Sequence, residues 1–179
     1  MIIDLTSPNF AAIVTGLGVC IIDALEQTPA GAPTRQCLLV PTQLIPWDNC
    51  DCGGQYAAAI QQTYGSDSPP QPLVATWAKC ASTWTLAEVL FSVTRCVPTL
   101  DEQGRPPPCD AELAAALTLE NDRTAVRQAL MCCLTELYAA IPPEIGFWSL
   151  GPSVTVGELG GCAGVETTAI IGVRTGCGC

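Results

Sequence analysis

The sequence predicts an α+β fold, a mixed, mostly antiparallel sheet flanked by helices, in a single domain over residues 1–179. Three observations carry it. Asp110 to Ile141 is the longest run free of Gly and Pro, rich in Ala and Leu and stopped by prolines on both sides. Residues 84–97 alternate apolar and polar with the period of a half-buried strand. Near the C-terminus, Leu159-Gly160-Gly161-Cys162-Ala163-Gly164 separates two runs rich in Val, Thr and Ile, as a hairpin turn does.

In chain order, Ser7-Pro8 starts a helix over about 8–25, with Ser as cap and Pro in the first turn. Phe10, Ile13, Val14, Leu17, Ile21 and Leu25 line one face; Gly16 and Gly18 either weaken this helix or mark a close helix contact. An antiparallel hairpin is expected over about 36–64, its first strand from Cys37 bent or edged by Pro41 and Pro46. Its turn is Trp47-Asp48-Asn49-Cys50-Asp51-Cys52-Gly53-Gly54. Beyond it Tyr56, Ala58, Ile60 and Tyr64 point one way, although Ala and Gln are also content in a helix over 55–64. Gly65 to Pro72 reads as a linker.

The strand over about 84–97 is a candidate for the centre of the sheet, with a helical alternative for its front end, Ala81 to Leu90. A mobile proline-rich arm, 98–108, follows. In 110–141, Val126, Leu130, Leu134, Leu137 and Ile141 form one apolar stripe, while Leu113, Ala116 and Leu117 point away from it. Asn121-Asp122 is able to cap a second helix, so the segment is one long helix or a helix pair. A strand pair over 147–173 closes the chain. Its glycine-rich turn needs a positive φ and is no phosphate cradle, because a strand follows it and the P-loop lysine is missing.

Charge and composition exclude several functions. Seven basic residues against seventeen acidic ones leave a net charge of −10, and the basic ones never cluster, so specific nucleic-acid binding by charge is not expected. With no histidine, Ser-His-Asp and Cys-His nucleophiles and His-ligated metals drop out. No catalytic residue, cofactor or metal is expected. Cys50-x-Cys52 and Cys177-x-Cys179 lack the two-residue spacing common in zinc sites. The start, Met1-Ile2-Ile3-Asp4, does not read as a signal peptide, and Phe10 to Ile22 is too short to span a bilayer, so no membrane partner is expected.

Of the twelve cysteines, Cys20, Cys132 and Cys133 fall inside helical patterns and read as core packing. Cys50, Cys52, Cys96 and Cys162 lie near turns and strand ends and are the disulfide candidates, with partners distant in sequence. Trp47 and Trp148 lie beside turns, where burial against a neighbouring molecule is as natural as burial within the domain; with Arg105 on the arm they are the interface candidates. The reading is a structural or assembly protein, not an enzyme.

Particular residues also resemble a family. The run Trp47-Asp48-Asn49-Cys50-Asp51-Cys52-Gly53-Gly54-Gln55 resembles a turn in small head-to-tail connector proteins of tailed phages infecting actinobacteria. So do Val93-Thr94-Arg95-Cys96-Val97-Pro98, the helix with Leu130-Met131-Cys132-Cys133, and Gly160-Gly161-Cys162-Ala163-Gly164 before a β-run. Together they span residues 47–173. The turn here reads Cys-Asp-Cys where the family pattern has adjacent cysteines, which alters any paired-cysteine geometry. The chain is most similar to the tail terminators. That resemblance implies a mixed sheet with helices, and a hexameric ring of copies that caps the tail tube. The implied partners are further copies of the chain, the tail tube protein and the head-side neck or stopper protein, in a virion assembled in the host cytoplasm, with DNA passing through unheld. The alternatives are a head-completion or stopper ring protein of the same neck and, in another class, a Cys-rich extracellular binding module.

Overall fold

The computed structural model describes residues 9–43, 45, 53–73, 84–140, 145–159 and 161–174. Helix α1 spans Phe10–Glu26. Asn9 caps it from an extended backbone, its side chain accepting from the Ala11 N–H at 2.9 Å. The cap is therefore Asn9 and not Ser7; Ser7 and Pro8 lie outside the described residues. The expected apolar face is the buried one: Ile13, Val14, Leu17, Ile21 and Leu25. Gly18 lets the helix press on the sheet, since a Cβ there would stand 3.0 Å from Leu38 Cδ2 and from the Tyr56 hydroxyl.

Strands β1 (Arg35–Val40), β2 (Gln55–Ser66), β3 (Trp84–Cys96), β4 (Ile145–Leu159) and β5 (Cys162–Arg174) make one sheet in the order β1-β2-β3-β5-β4. The pairs β2–β3, β3–β5 and β5–β4 are antiparallel, and β1–β2 is parallel. The fold is thus α+β with a mixed, mostly antiparallel sheet, and β3 is its central strand.

The hairpin expected over 36–64 is corrected. Arg35 pairs with Gln55 and Val40 with Ala59, in the same direction, so β1 and β2 are parallel and do not form a hairpin. Alternation fixes which face a side chain takes but not which way a strand runs. The chain enters β2 through Gly54, at φ 73°, where a Cβ would approach the Thr94 carbonyl to 2.7 Å. Residues 55–64 are strand, not helix. A bulge between Ile60 and Gln62 then switches faces: Tyr56 pairs with Val93, but Tyr64 pairs with Leu86, so the two tyrosines lie on opposite sides.

Helix α2 is a single helix, Cys109–Ala140, with Asp110 and Glu112 in the first turn where the helix dipole favours acids. Both helices cover the same face of the sheet. Ile13, Leu17 and Ile21 of α1 and Val126, Leu130 and Leu134 of α2 share one cluster with Tyr56, Phe91, Val93 and Ile171. Removal of that apolar area from water is what chiefly holds the two layers together. A small second cluster, Ile45, Ala57 and Ala59, lies on the other face. Among the described residues no helix is long and apolar enough to cross a membrane.

Candidate functional site

Three strand-end segments, far apart in sequence, meet at one end of the sheet. Gln55, at the start of β2, pairs with Thr94; Cys96 pairs with Cys162; and the Val97 N–H donates to the Gly161 carbonyl at 3.0 Å. Gly161, at φ 80°, makes the turn before β5, as expected of that hairpin. Gly164 lets β3 and β5 close up, since a Cβ there would lie 2.8 Å from the Val93 carbonyl oxygen.

A buried ion pair fastens this end to α2. Arg95 Nε donates to Asp122 Oδ2 at 2.7 Å, Nη2 to Oδ1 at 3.0 Å, and Nη2 also to the Gly31 carbonyl at 2.7 Å. Asp122 is fully buried and Arg95 is 8% exposed. One guanidinium thus ties β3, α2 and the loop after α1 in a fork that an arginine fits and a lysine does not. Asp122 caps no second helix. The signal for its role was in the sequence: Asp122, Val126, Leu130 and Leu134 recur every four residues, so the acid lies in line with the buried stripe.

The arm leaves from the same end. Its tip is a hydrogen-bonded turn. Asp101 Oδ1 accepts from the Gln103 and Arg105 N–H groups, each at 2.9 Å, and Gly104 takes φ 75°. Arg105, with a side chain 74% exposed, donates from Nε to Asp101 Oδ2 at 2.7 Å. The Arg105 N–H first, then the Arg105 guanidinium and the Gln103 N–H, hold the Asp101 carboxyl below its ordinary range. Arg105 thus folds back on Asp101 while most of its side chain stays exposed. Between arm, α2 and the β4–β5 tip lies a mainly apolar groove of about 400 Å³, bordered by Val97, Leu100, Pro106, Leu119 and Val156. Leu100 on its rim is 63% exposed, and Leu113 and Leu117 on α2 are 60% and 56% exposed. Leu100 borders the groove, whereas Leu113 and Leu117, one turn apart on α2, expose a separate apolar pair.

The remaining interface and disulfide candidates divide as follows. Trp148 is half-buried on β4, opposite Ile171, and packs against the main core. Trp47, Cys50 and Cys52 lie outside the described residues. Cys162 is disulfide-bonded; Cys96, opposite it in the β3–β5 register, carries a thiol and is not its disulfide partner. The reading of Cys20 and Cys133 as core packing is corrected: they form a disulfide between α1 and α2, with Cα atoms 6.8 Å apart. Helical context hid this pair, because α1 and α2 are adjacent in space but their cysteines are 113 residues apart in sequence.

On the face away from the helices, a cavity of about 510 Å³ is lined by Gln43, Gln61, Gln62, Glu88, Leu90 and Glu166 among others. Gln62 Nε2 donates to Glu88 at 2.7 Å, and partial burial pushes the Glu166 carboxyl up. Among the described residues no three His, Cys, Asp or Glu side chains come close enough to hold a metal ion. No protein-family model matches the chain, and no curated protein does.

Proposed function

We propose that the protein is a structural component of a phage neck, a tail terminator whose copies close into a hexameric ring capping the tail tube and joining it to the head. One observation carries the reading. Two of the four segments that resemble the connector family, Val93–Pro98 and Gly161–Gly164, and the described end of a third, Gly53–Gln55, are scattered in sequence yet lie side by side at one end of the sheet. The arm departs from that end with its hydrogen-bonded tip and exposed Arg105. An assembly contact needs its residues on one patch, and this end of the sheet supplies one.

The surfaces suit the role. A head-to-tail contact needs two different patches; the groove rimmed by Leu100 and the exposed Leu113–Leu117 pair on α2 are the candidates. The tail tube protein and the head-side neck protein are the partners on the ring's two rims. A net charge of −10 lets DNA pass the lumen without being gripped.

The experiment is antibody labelling of intact particles in the electron microscope. Label confined to the head–tail junction supports the reading; label on tail fibres or capsid, or none on particles, overturns it. The Cys20–Cys133 disulfide and the bonded Cys162 favour a second reading, the Cys-rich extracellular module. Recovery of the chain as a secreted, particle-free protein supports that one.

A further inference from the structure

We propose that Cys20–Cys133 is a redox-conditional staple: the chain folds with both thiols free in a reducing compartment, and the bond closes when it meets a low-molecular-weight disulfide. The proposal is independent of the neck role.

Both redox states are accommodated. The helices that carry the pair are held together without it, through Ile13, Leu17 and Ile21 packed with Val126, Leu130 and Leu134. The fold thus differs from small disulfide scaffolds, whose cores are too small to stand alone. Cys20 Sγ lies 3.8 Å from the Ala129 carbonyl, an acceptor ready for its S–H when the bond is open. A half-buried thiol at either position is otherwise an ordinary small apolar side chain.

Reagents can reach the pair. Both cysteines border a groove of about 330 Å³ whose other walls are Ile13, Gly16, Leu17, Glu136 and Leu137. Gly16, which has no side chain, is part of the α1 wall of that groove beside the pair.

The chemistry balances with oxidised glutathione as the oxidant. One cysteine loses its proton, and its thiolate attacks one glutathione sulfur, forming a mixed disulfide and expelling a glutathione thiolate. The second cysteine, likewise deprotonated, attacks the protein-side sulfur, closing Cys20–Cys133 and expelling the second glutathione thiolate. The two released thiolates take up the two protons. Two protein thiols are oxidised and one glutathione disulfide is reduced to two thiols.

Closure ties residues 113 apart in sequence, so it restricts the unfolded chain strongly. The test follows the full chain, reduced and then equilibrated with oxidised glutathione, by alkylation mapping of each cysteine and by thermal unfolding. The reduced chain is expected to keep its circular dichroism and a cooperative transition. Oxidation is expected to protect Cys20 and Cys133 from alkylation and to raise Tm by about 5–15 °C. Most of that rise should vanish in the double variant Cys20→Ala, Cys133→Ala, although the bonded Cys162 remains. A reduced chain that is unfolded overturns the proposal, because the bond is then obligatory. So does a chain whose Cys20 and Cys133 stay fully alkylatable after oxidation, or a double variant with the parent's full Tm rise. The alkylation readout on the parent chain decides the matter even where the double variant fails to fold.

Discussion

Asp122 shows how much one side chain decides here. It has no solvent contact, and among the described residues its counter-charge is a single guanidinium, so Asp122→Ala leaves the Arg95 charge buried and unpaired. That substitution is expected to lower stability by about 3–5 kcal/mol in urea titration. The paired change Arg95→Met with Asp122→Leu removes both charges and is expected to cost far less than either single change. Additive losses would show that the pair is not what fastens β3 to α2. Tyr56 is the opposite case. Its hydroxyl is buried with no hydrogen-bond partner among the described residues, and burial pushes the phenol pKa up. Tyr56→Phe is therefore expected to leave stability unchanged or raise it by up to about 1 kcal/mol; a clear loss would mean the hydroxyl has a partner. Glu166 carries a pH dependence. Its folded carboxyl is raised by burial, so the folded state binds the proton more tightly than the unfolded one and gains stability as pH falls through that carboxyl's range. Above that range the ionised form is a liability. Glu166→Gln should then raise the urea midpoint at pH 7 and lose its advantage as the pH drops, and a midpoint lowered at neutral pH would contradict this.

At the scale of elements, the long helix, the central strand and the C-terminal hairpin were legible because each rests on local signals: proline stops, period-two alternation, a glycine-rich turn. Three features were not. The parallel direction of β1 depends on where the chain travels between Val40 and Gln55, which alternation does not encode. The bulge at Ile60/Gln62 moves Tyr64 across the sheet by one inserted residue. The bond between Cys20 and Cys133 requires knowing that α1 and α2 are neighbours. Of the site, the glycine turn at Gly161 and the exposed Arg105 were read from sequence. The Arg95–Asp122 pair was missed, although Asp122 stood in the buried stripe. The structure also changes what makes a useful interface probe. Trp148 packs on the core, so Trp148→Ala is expected to cost about 1–3 kcal/mol of stability whatever else it does. Leu117, 56% exposed on α2, is the cleaner choice. Leu117→Asp should leave the thermal midpoint within a degree or two and lower incorporation of the chain into particles, read by immunoblot of purified particles. A folded variant incorporated as fully as the parent would remove this face from the contact.

As a whole the molecule is acidic, and its described residues form two layers, with one face of the sheet covered by helices and the arm and groove at one end. At physiological salt such a chain should show no micromolar affinity for duplex DNA, as fluorescence anisotropy would report; tight binding would demand a basic surface that the sequence lacks. Heterologous contacts close only when their rotation divides a full turn, so isolated copies are expected to remain monomeric or mixed until a tail tube templates them. A cryo-electron microscopy reconstruction of the particle neck decides whether the proposed ring exists. Six copies are expected around a channel at the end of the tail tube, with the arm and the Leu100 groove of each copy against its neighbour. A single copy per particle, or a two-fold dimer using the same patch on both partners, would contradict it.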